Sequence, residues 1–353
     1  MPTTSQANNR IVYLDVLRIV AGAVMVFGHA RMLYYGVDHR STLHAVHATL
    51  LDGPNIFLMI TGALLLPVAR SWREFMARRL PRVAWPLLVW TVVYLVIGFA
   101  RGTRTWRDVL MLPIMPANGI LWYLYMLIVI YITLPVASVA IEAMGKRGVQ
   151  VYLVLWVLSS LIPFEHGVIT SLTPPQHPLA MFHNCYGYVV LGYYLRRWPL
   201  PLFTWWHGWW IALVMVLGMV AVPWFEFTCQ PDLSWHDHIK AVSNIAGINA
   251  VMVAVLAFAV VQHLVPERHS SLGRLSTLLA TVSDSIYGIY LMHMAVMILV
   301  TVPIINRLLP ACATQWQSLS LTLVAAPVLT LAVSLALTLV IKRLPYSKYI
   351  IGH

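Results

Sequence analysis

Charge is sparse in this sequence: 10% of its 353 residues are Asp, Glu, Lys or Arg, while 60% are hydrophobic. A water-exposed domain carries about 25% charged residues. Too few charges remain here to cover a soluble globule, so lipid is the expected solvent for most of the surface. Cysteine is equally scarce. Cys185, Cys229 and Cys312 have no CxxC spacing and supply no metal framework. Cys229 and Cys312 fall in loops expected on the same outer side, which would allow a disulfide. The chain has no GxxxxGK[ST] phosphate loop, no HExxH, no GxSxG elbow and no dinucleotide fingerprint. An ATP-driven pump and the familiar zinc and serine hydrolases are thereby excluded. There is also no Ser/Gly linker, no low-complexity tract and no convincing internal repeat. The expected organisation is one transmembrane domain over residues 1–353 with a short tail at 1–10.

What the chain does have is long apolar runs. A membrane span needs about 20 mostly apolar residues, and ten segments qualify: 11–33, 50–69, 81–100, 119–139, 149–164, 179–197, 207–225, 241–263, 280–303 and 319–341. The fold class expected is therefore an all-α integral membrane bundle of about ten helices. The first run holds Asp15 and Arg18, unlike a cleavable signal core, and reads as a retained helix. The net charge of +11 does not form a nucleic-acid-binding stripe. Its basic residues sit in short clusters between apolar runs, as in cytoplasmic loops. With the N-terminus inside, sixteen of the 23 Lys and Arg fall on the inner side. Both termini are then cytoplasmic, and the loop with Glu226, Asp232 and Asp237 is outside.

Ionisable groups inside a span are costly and mark function by default. Asp15 and Arg18 stand three apart on one helix face and can pair. His29 follows Arg18 by eleven residues, three helical turns, or about 16 Å along the axis. Spacing alone leaves two readings open. Asp15 and Arg18 could be a structural pair at the membrane boundary with His29 interfacial. Alternatively, Arg18 could contact an anionic ligand while His29 acts as base or nucleophile from the other side. Arg78, Arg79 and Arg82 open the third span. They would anchor topology or present guanidinium forks to phosphate. Further along come Asn118-Gly119-Ile120-Leu121-Trp122-Tyr123-Leu124, and then Ser283 to His293, which includes Tyr290. His44 and His47 are weaker candidates. By these features alone, a transporter or flippase for an anionic or lipid-linked substrate competes with an enzyme.

Taken together, these residues resemble the membrane acyltransferase-3 family of bacterial O-acyltransferases. Leu14-Asp15-Val16-Leu17-Arg18 matches its opening pattern, and Arg18 to His29 its arginine–ten residues–histidine motif. Arg79 and Arg82 followed by Pro86 match its Arg-x-x-Arg element, Leu121-Trp122-Tyr123-Leu124 its Leu-Trp-aromatic-Leu element, and Ile289 to His293 its closing Ile-Tyr-Leu-x-His. Two positions depart from the pattern. Thr61 replaces a serine before Gly62, and Gly288 stands near the place of a serine preceding the last aromatic–histidine element.

The resemblance implies acetyl-CoA as co-substrate, with no permanently bound cofactor and no metal. Its phosphates would rest on Arg78, Arg79 and Arg82. His29, Arg18 and Asp15 would form the catalytic group, Asp15 orienting Arg18. Trp122, Tyr290 and His293 would contact the acceptor, a hydroxyl of an envelope or exported polysaccharide or its lipid-linked precursor. His29 would either deprotonate that hydroxyl or first accept the acyl group. The implied setting is the bacterial inner membrane, without an appended esterase-like domain and without nucleic acid as a partner.

Overall fold

The computed structural model describes residues 10–29, 53–161, 182, 184–200, 206–229, 247–265, 267, 274–312 and 314–352. His44, His47 and the acidic residues Asp232 and Asp237 lie outside them. The regular structure among the described residues is helical. In chain order the helices are α1 Val12–His29, α2 Gly53–Leu65, α3 Trp72–Arg79, α4 Pro81–Ala100, α5 Trp106–Leu110, α6 Trp122–Ser160 and α7 Tyr186–Arg197. They continue as α8 Trp206–Cys229, α9 Ile248–Leu264, α10 Arg274–Val296, α11 Val302–Leu308, α12 Gln315–Ser320, α13 Ala326–Ile341 and α14 Ser347–Ile351. Single π-helical turns, Met297–Thr301 and Leu321–Ala325, join α10 to α11 and α12 to α13.

Among the described residues, five helical stretches are long and apolar enough to cross a membrane: Val12–His29, Trp72–Ala100, Gly119–Ser160, Thr277–Leu308 and Leu321–Ile341. Shorter apolar helices cover Gly53–Leu65, Gly208–Met219 and Ile248–Leu264. Helices are the expected answer to this composition, because lipid offers no partner for a backbone N–H or C=O. The fourth and fifth expected spans, as far as they are described, fall mostly on α6. Gly145, with φ 59°, interrupts its helical backbone, a conformation that glycine takes without steric cost.

The described residues of Met1–Gly28, Asp38–Leu66 and Ile141–Ser283 form one compact unit, and those of His29–Val37, Pro67–Ala140 and Asp284–His353 another. In the first unit α2 packs on α7, and two glycines bring the backbones together. A β-carbon at Gly62 would lie 1.7 Å from the Val189 carbonyl oxygen, and one at Gly192 would lie 1.9 Å from that of Met59. Such small-residue contacts are how helices associate where apolar burial gives no advantage over lipid. Arg196 donates to the Ala63 carbonyl at the end of α2. Trp156, fully buried, donates its indole N–H to the Asn184 carbonyl at 2.8 Å and meets Tyr188 edge-on at 4.7 Å.

In the second unit Tyr94 on α4 donates to the Leu291 carbonyl of α10 at 2.8 Å. The Thr301 and Thr330 hydroxyls meet at 2.8 Å. The last apolar stretch has a recurring device: Thr322, Thr330 and Thr338 each return a hydroxyl to the carbonyl four residues back, at 2.8, 2.9 and 2.7 Å. Just past it, Lys342 Nζ donates to Ser285 Oγ at 3.0 Å.

The sulfhydryl of Cys312 donates to the Leu308 carbonyl at 3.9 Å. The side chain of Cys229, its expected disulfide partner, lies outside the described residues.

Candidate active site

The site residues fall into three groups, each contained in one unit. The first is built on α1. The apolar face of that helix buries Leu14 and Leu17, which fixes the rotation that carries Asp15 inward at 3% exposure. Arg18 donates to Asp15 at 3.1 Å, so the i,i+3 pair expected from spacing is formed. Two further residues complete the group. Arg10 donates through Nε and Nη2 to the two carboxylate oxygens at 3.1 and 2.9 Å. Ser283 accepts from Arg18 Nη1 at 2.8 Å and donates to Asp15 at 2.7 Å. Two guanidiniums thus share one buried carboxylate, and the serine sits between Arg18 and Asp15. The carboxylate thereby accepts hydrogen bonds from both guanidiniums and from the serine hydroxyl.

The second group lies at the junction of α3 and α4. Arg78 and Arg79 end α3, Leu80 keeps a right-handed helical backbone, and Pro81 opens α4. Proline has no N–H for the helical ladder, so the helix is interrupted there, and proline is well placed in a first turn. Arg79 is half-buried, while Arg78 and Arg82 are exposed. Arg70 and Arg82 are the charged neighbours of Arg79, with Tyr131 beside them. Arg70, just before α3, joins this basic cluster. A concentration of guanidiniums on a polypeptide surface suits a polyanion such as a pyrophosphate.

The third group stands on α10. His293 is fully buried, and its Nδ1 lies 2.6 Å from the Tyr290 carbonyl oxygen. A carbonyl only accepts, so the hydrogen is on Nδ1, and in the neutral ring Nε2 carries a lone pair. Among the described residues Nε2 has no hydrogen-bond partner. The half-buried His29 presents its ring 5.2 Å from that of His293. Tyr290 donates to the Ile120 carbonyl, so its hydroxyl fastens the turn that Asn118 initiates by accepting from the Ile120 N–H. Trp122, expected on the acceptor side, is 37% exposed, whereas its neighbour Tyr123 is buried and meets Tyr290 edge-on at 5.8 Å. The aromatic facing α10 is therefore Tyr123.

The two positions that depart from the family pattern both make local contacts. Thr61 donates to the Phe57 carbonyl at 2.9 Å, within its own helix. Gly288 abuts Thr338: a β-carbon there would come within 2.6 Å of the threonine methyl.

Comparison with known proteins fits these features. No curated protein and no solved structure matches the chain. A family model described as an acyltransferase domain, that of the acyltransferase-3 family, matches residues 11–340, a stretch that includes α1 through nearly all of α13 and every residue of the three groups except Arg10. A transporter reading of the intramembrane charges is thereby set aside, and the chain belongs to the acyltransferase-3 family of multi-pass membrane acyltransferases.

Proposed function

We propose that this enzyme moves an acetyl group from cytoplasmic acetyl-CoA across a bacterial inner membrane to a hydroxyl of an envelope or exported polysaccharide, or of its lipid-linked precursor. Ten spans with both termini cytoplasmic accommodate this reading. The feature that supports it is the spacing along the first apolar run: Arg18, tied to Asp15 and Ser283, and His29 stand eleven residues apart in the sequence, about 16 Å of helix. One end would serve the donor, the other the acceptor.

Arg78, Arg79 and Arg82 hold the phosphates of CoA, and Asp15 orients Arg18. Trp122, Tyr290 and His293 flank the acceptor. His29 removes the proton of the acceptor hydroxyl. The alkoxide attacks the thioester carbonyl, the carbon–sulfur bond breaks, and the CoA thiolate recovers the proton from the imidazolium. In the other route the imidazole itself attacks the thioester, the carbon–sulfur bond breaks and CoA leaves as the thiol with the ring proton; the acceptor hydroxyl then attacks the acetyl-imidazole, whose carbon–nitrogen bond breaks as the imidazole takes the hydroxyl proton. Accumulation of acetyl-labelled enzyme without acceptor separates the two.

Inside-out vesicles containing the protein, given labelled acetyl-CoA outside and acceptor glycan in the lumen, test the proposal. Label entering the glycan with the wild type and not with equally inserted His29→Ala is the expected result. Label entering with both would remove His29 from the chemistry. No label with either would sink the acetyl-CoA reading.

A further inference from the structure

Arg82 is the second residue of α4, after Pro81, and Pro86 stands four residues beyond it. An α-helical carbonyl normally takes its hydrogen from the amide four residues on, and Pro86 has none. The Arg82 carbonyl is thus released from its own helix. Tyr287, from α10, donates its hydroxyl to that oxygen at 3.4 Å.

The end of the chain closes on the same atom. Helix α14 packs on α4, where Trp90 Nε1 donates to the Ile350 carbonyl at 3.0 Å and Trp85 meets Tyr349 edge-on at 5.6 Å. Ile351 is buried beneath it. Gly352 then takes a left-handed backbone, φ +68°. A β-carbon there would come within 2.6 Å of both the Arg82 carbonyl oxygen and the Tyr287 ring, so only glycine fits. This segment lies beyond residues 11–340, the part that matches the family.

We infer that Tyr287 and Gly352 are positioning residues for Arg82: they clamp the carbonyl that Pro86 frees and so aim the guanidinium at the phosphates of the acyl donor. The inference rests on the reading that Arg82 binds those phosphates. A guanidinium at the tip of a long stem is displaced by any tilt of the backbone beneath it. The first turn of α4 lacks one of the hydrogen bonds that would resist such a tilt.

The test uses the full-length protein in nanodiscs, with binding of labelled acetyl-CoA and of S-acetylpantetheine, which has the thioester arm but lacks the nucleotide and its phosphates. Tyr287→Phe keeps the ring and deletes the donor. It is expected to weaken acetyl-CoA about three- to tenfold, the worth of one hydrogen bond, and to leave S-acetylpantetheine unchanged. Gly352→Val should act in the same direction. In an Arg82→Ala background Tyr287→Phe should have no further effect. Equal weakening of both ligands, or the same loss with and without Arg82, would overturn the inference. So would unchanged acetyl-CoA affinity in Tyr287→Phe while Arg82→Ala weakens it. If Arg82→Ala itself binds acetyl-CoA normally, the donor-site reading fails instead, and this inference with it.

Discussion

The imidazoles of His29 and His293 face each other with ring centroids 5.2 Å apart. Because Nδ1 of His293 is spent on the Tyr290 carbonyl, the atom left for any partner is the lone pair of Nε2. A neutral histidine held in one tautomer beside a second histidine is suited to accept a hydrogen bond and so orient the ring of its neighbour.

His293→Leu is therefore expected to lower turnover about tenfold or more, within the range of acid–base assistance, with the donor KM unchanged. His293→Gln, which keeps a polar atom near Nε2, should recover part of the loss. His293→Asn, which keeps only a donor toward Tyr290, should not. Steady-state kinetics on all three decide it. Recovery by Asn would show that His293 serves the backbone rather than the reaction.

Asp15 accepts from Arg10, Arg18 and Ser283. Asp15→Asn leaves two guanidiniums around a neutral amide, and the loss of charged hydrogen bonds at a buried group costs about 2–4 kcal/mol. The thermal unfolding midpoint in detergent should fall clearly, and acetyl-CoA binding should weaken with it. An unchanged midpoint would mean that the group contributes nothing to the fold.

The close approach of α2 and α7 makes Gly62 intolerant. Gly62→Val puts side-chain atoms where the Val189 carbonyl already lies, and forced overpacking costs about 1–3 kcal/mol or more. Gly119→Ala has nothing within 4 Å of the added carbon and serves as control. Thermal unfolding of the two side by side should separate them. Equal midpoints would refute the backbone contact.

Asp108 gives a pH prediction outside the membrane spans. Its carboxyl is held down at about 2, first by the Thr105 backbone N–H, then by Arg104 and by the Thr105 hydroxyl. A depressed folded value means that the capping contribution is fully present above the ordinary aspartate value, about 4. It is lost as the pH falls through the folded one. With 5-fluorotryptophan incorporated, the resonance of Trp106, assigned with Trp106→Phe, should stay constant from pH 7 to about 4 and move between there and about 2. Asp108→Asn should abolish that movement. A shift already complete at pH 5 would contradict the capping geometry.

Much of the architecture was legible because lipid imposes one requirement, an apolar helix of sufficient length, and sequence reports it directly. The Asp15–Arg18 pair was legible for the same reason, since three residues along a helix fix the neighbourhood. Ser283 was not, standing 268 positions from the carboxylate it contacts; only folding brings it there. Arg10 precedes the apolar run, where a basic residue is ordinary, and only the fold shows its contact with Asp15. Of the two adjacent aromatics, Tyr123 is the buried one and meets Tyr290 while Trp122 is exposed, a difference that the pattern leaves open because it fixes the neighbourhood but not which ring turns inward. Pro86 was visible as punctuation. Its effect, freeing the carbonyl of Arg82, needed the position of Tyr287 to be seen.

The threonines of the last apolar stretch bear on how the protein is made. Thr322, Thr330 and Thr338 satisfy their hydroxyl hydrogens on their own helix, so these donors need no neighbouring helix to be met. Such a segment can leave the insertion machinery and enter the bilayer by itself at reduced cost. The interhelical bond of Thr301 and Thr330 can then form afterwards, when the already inserted helices find one another.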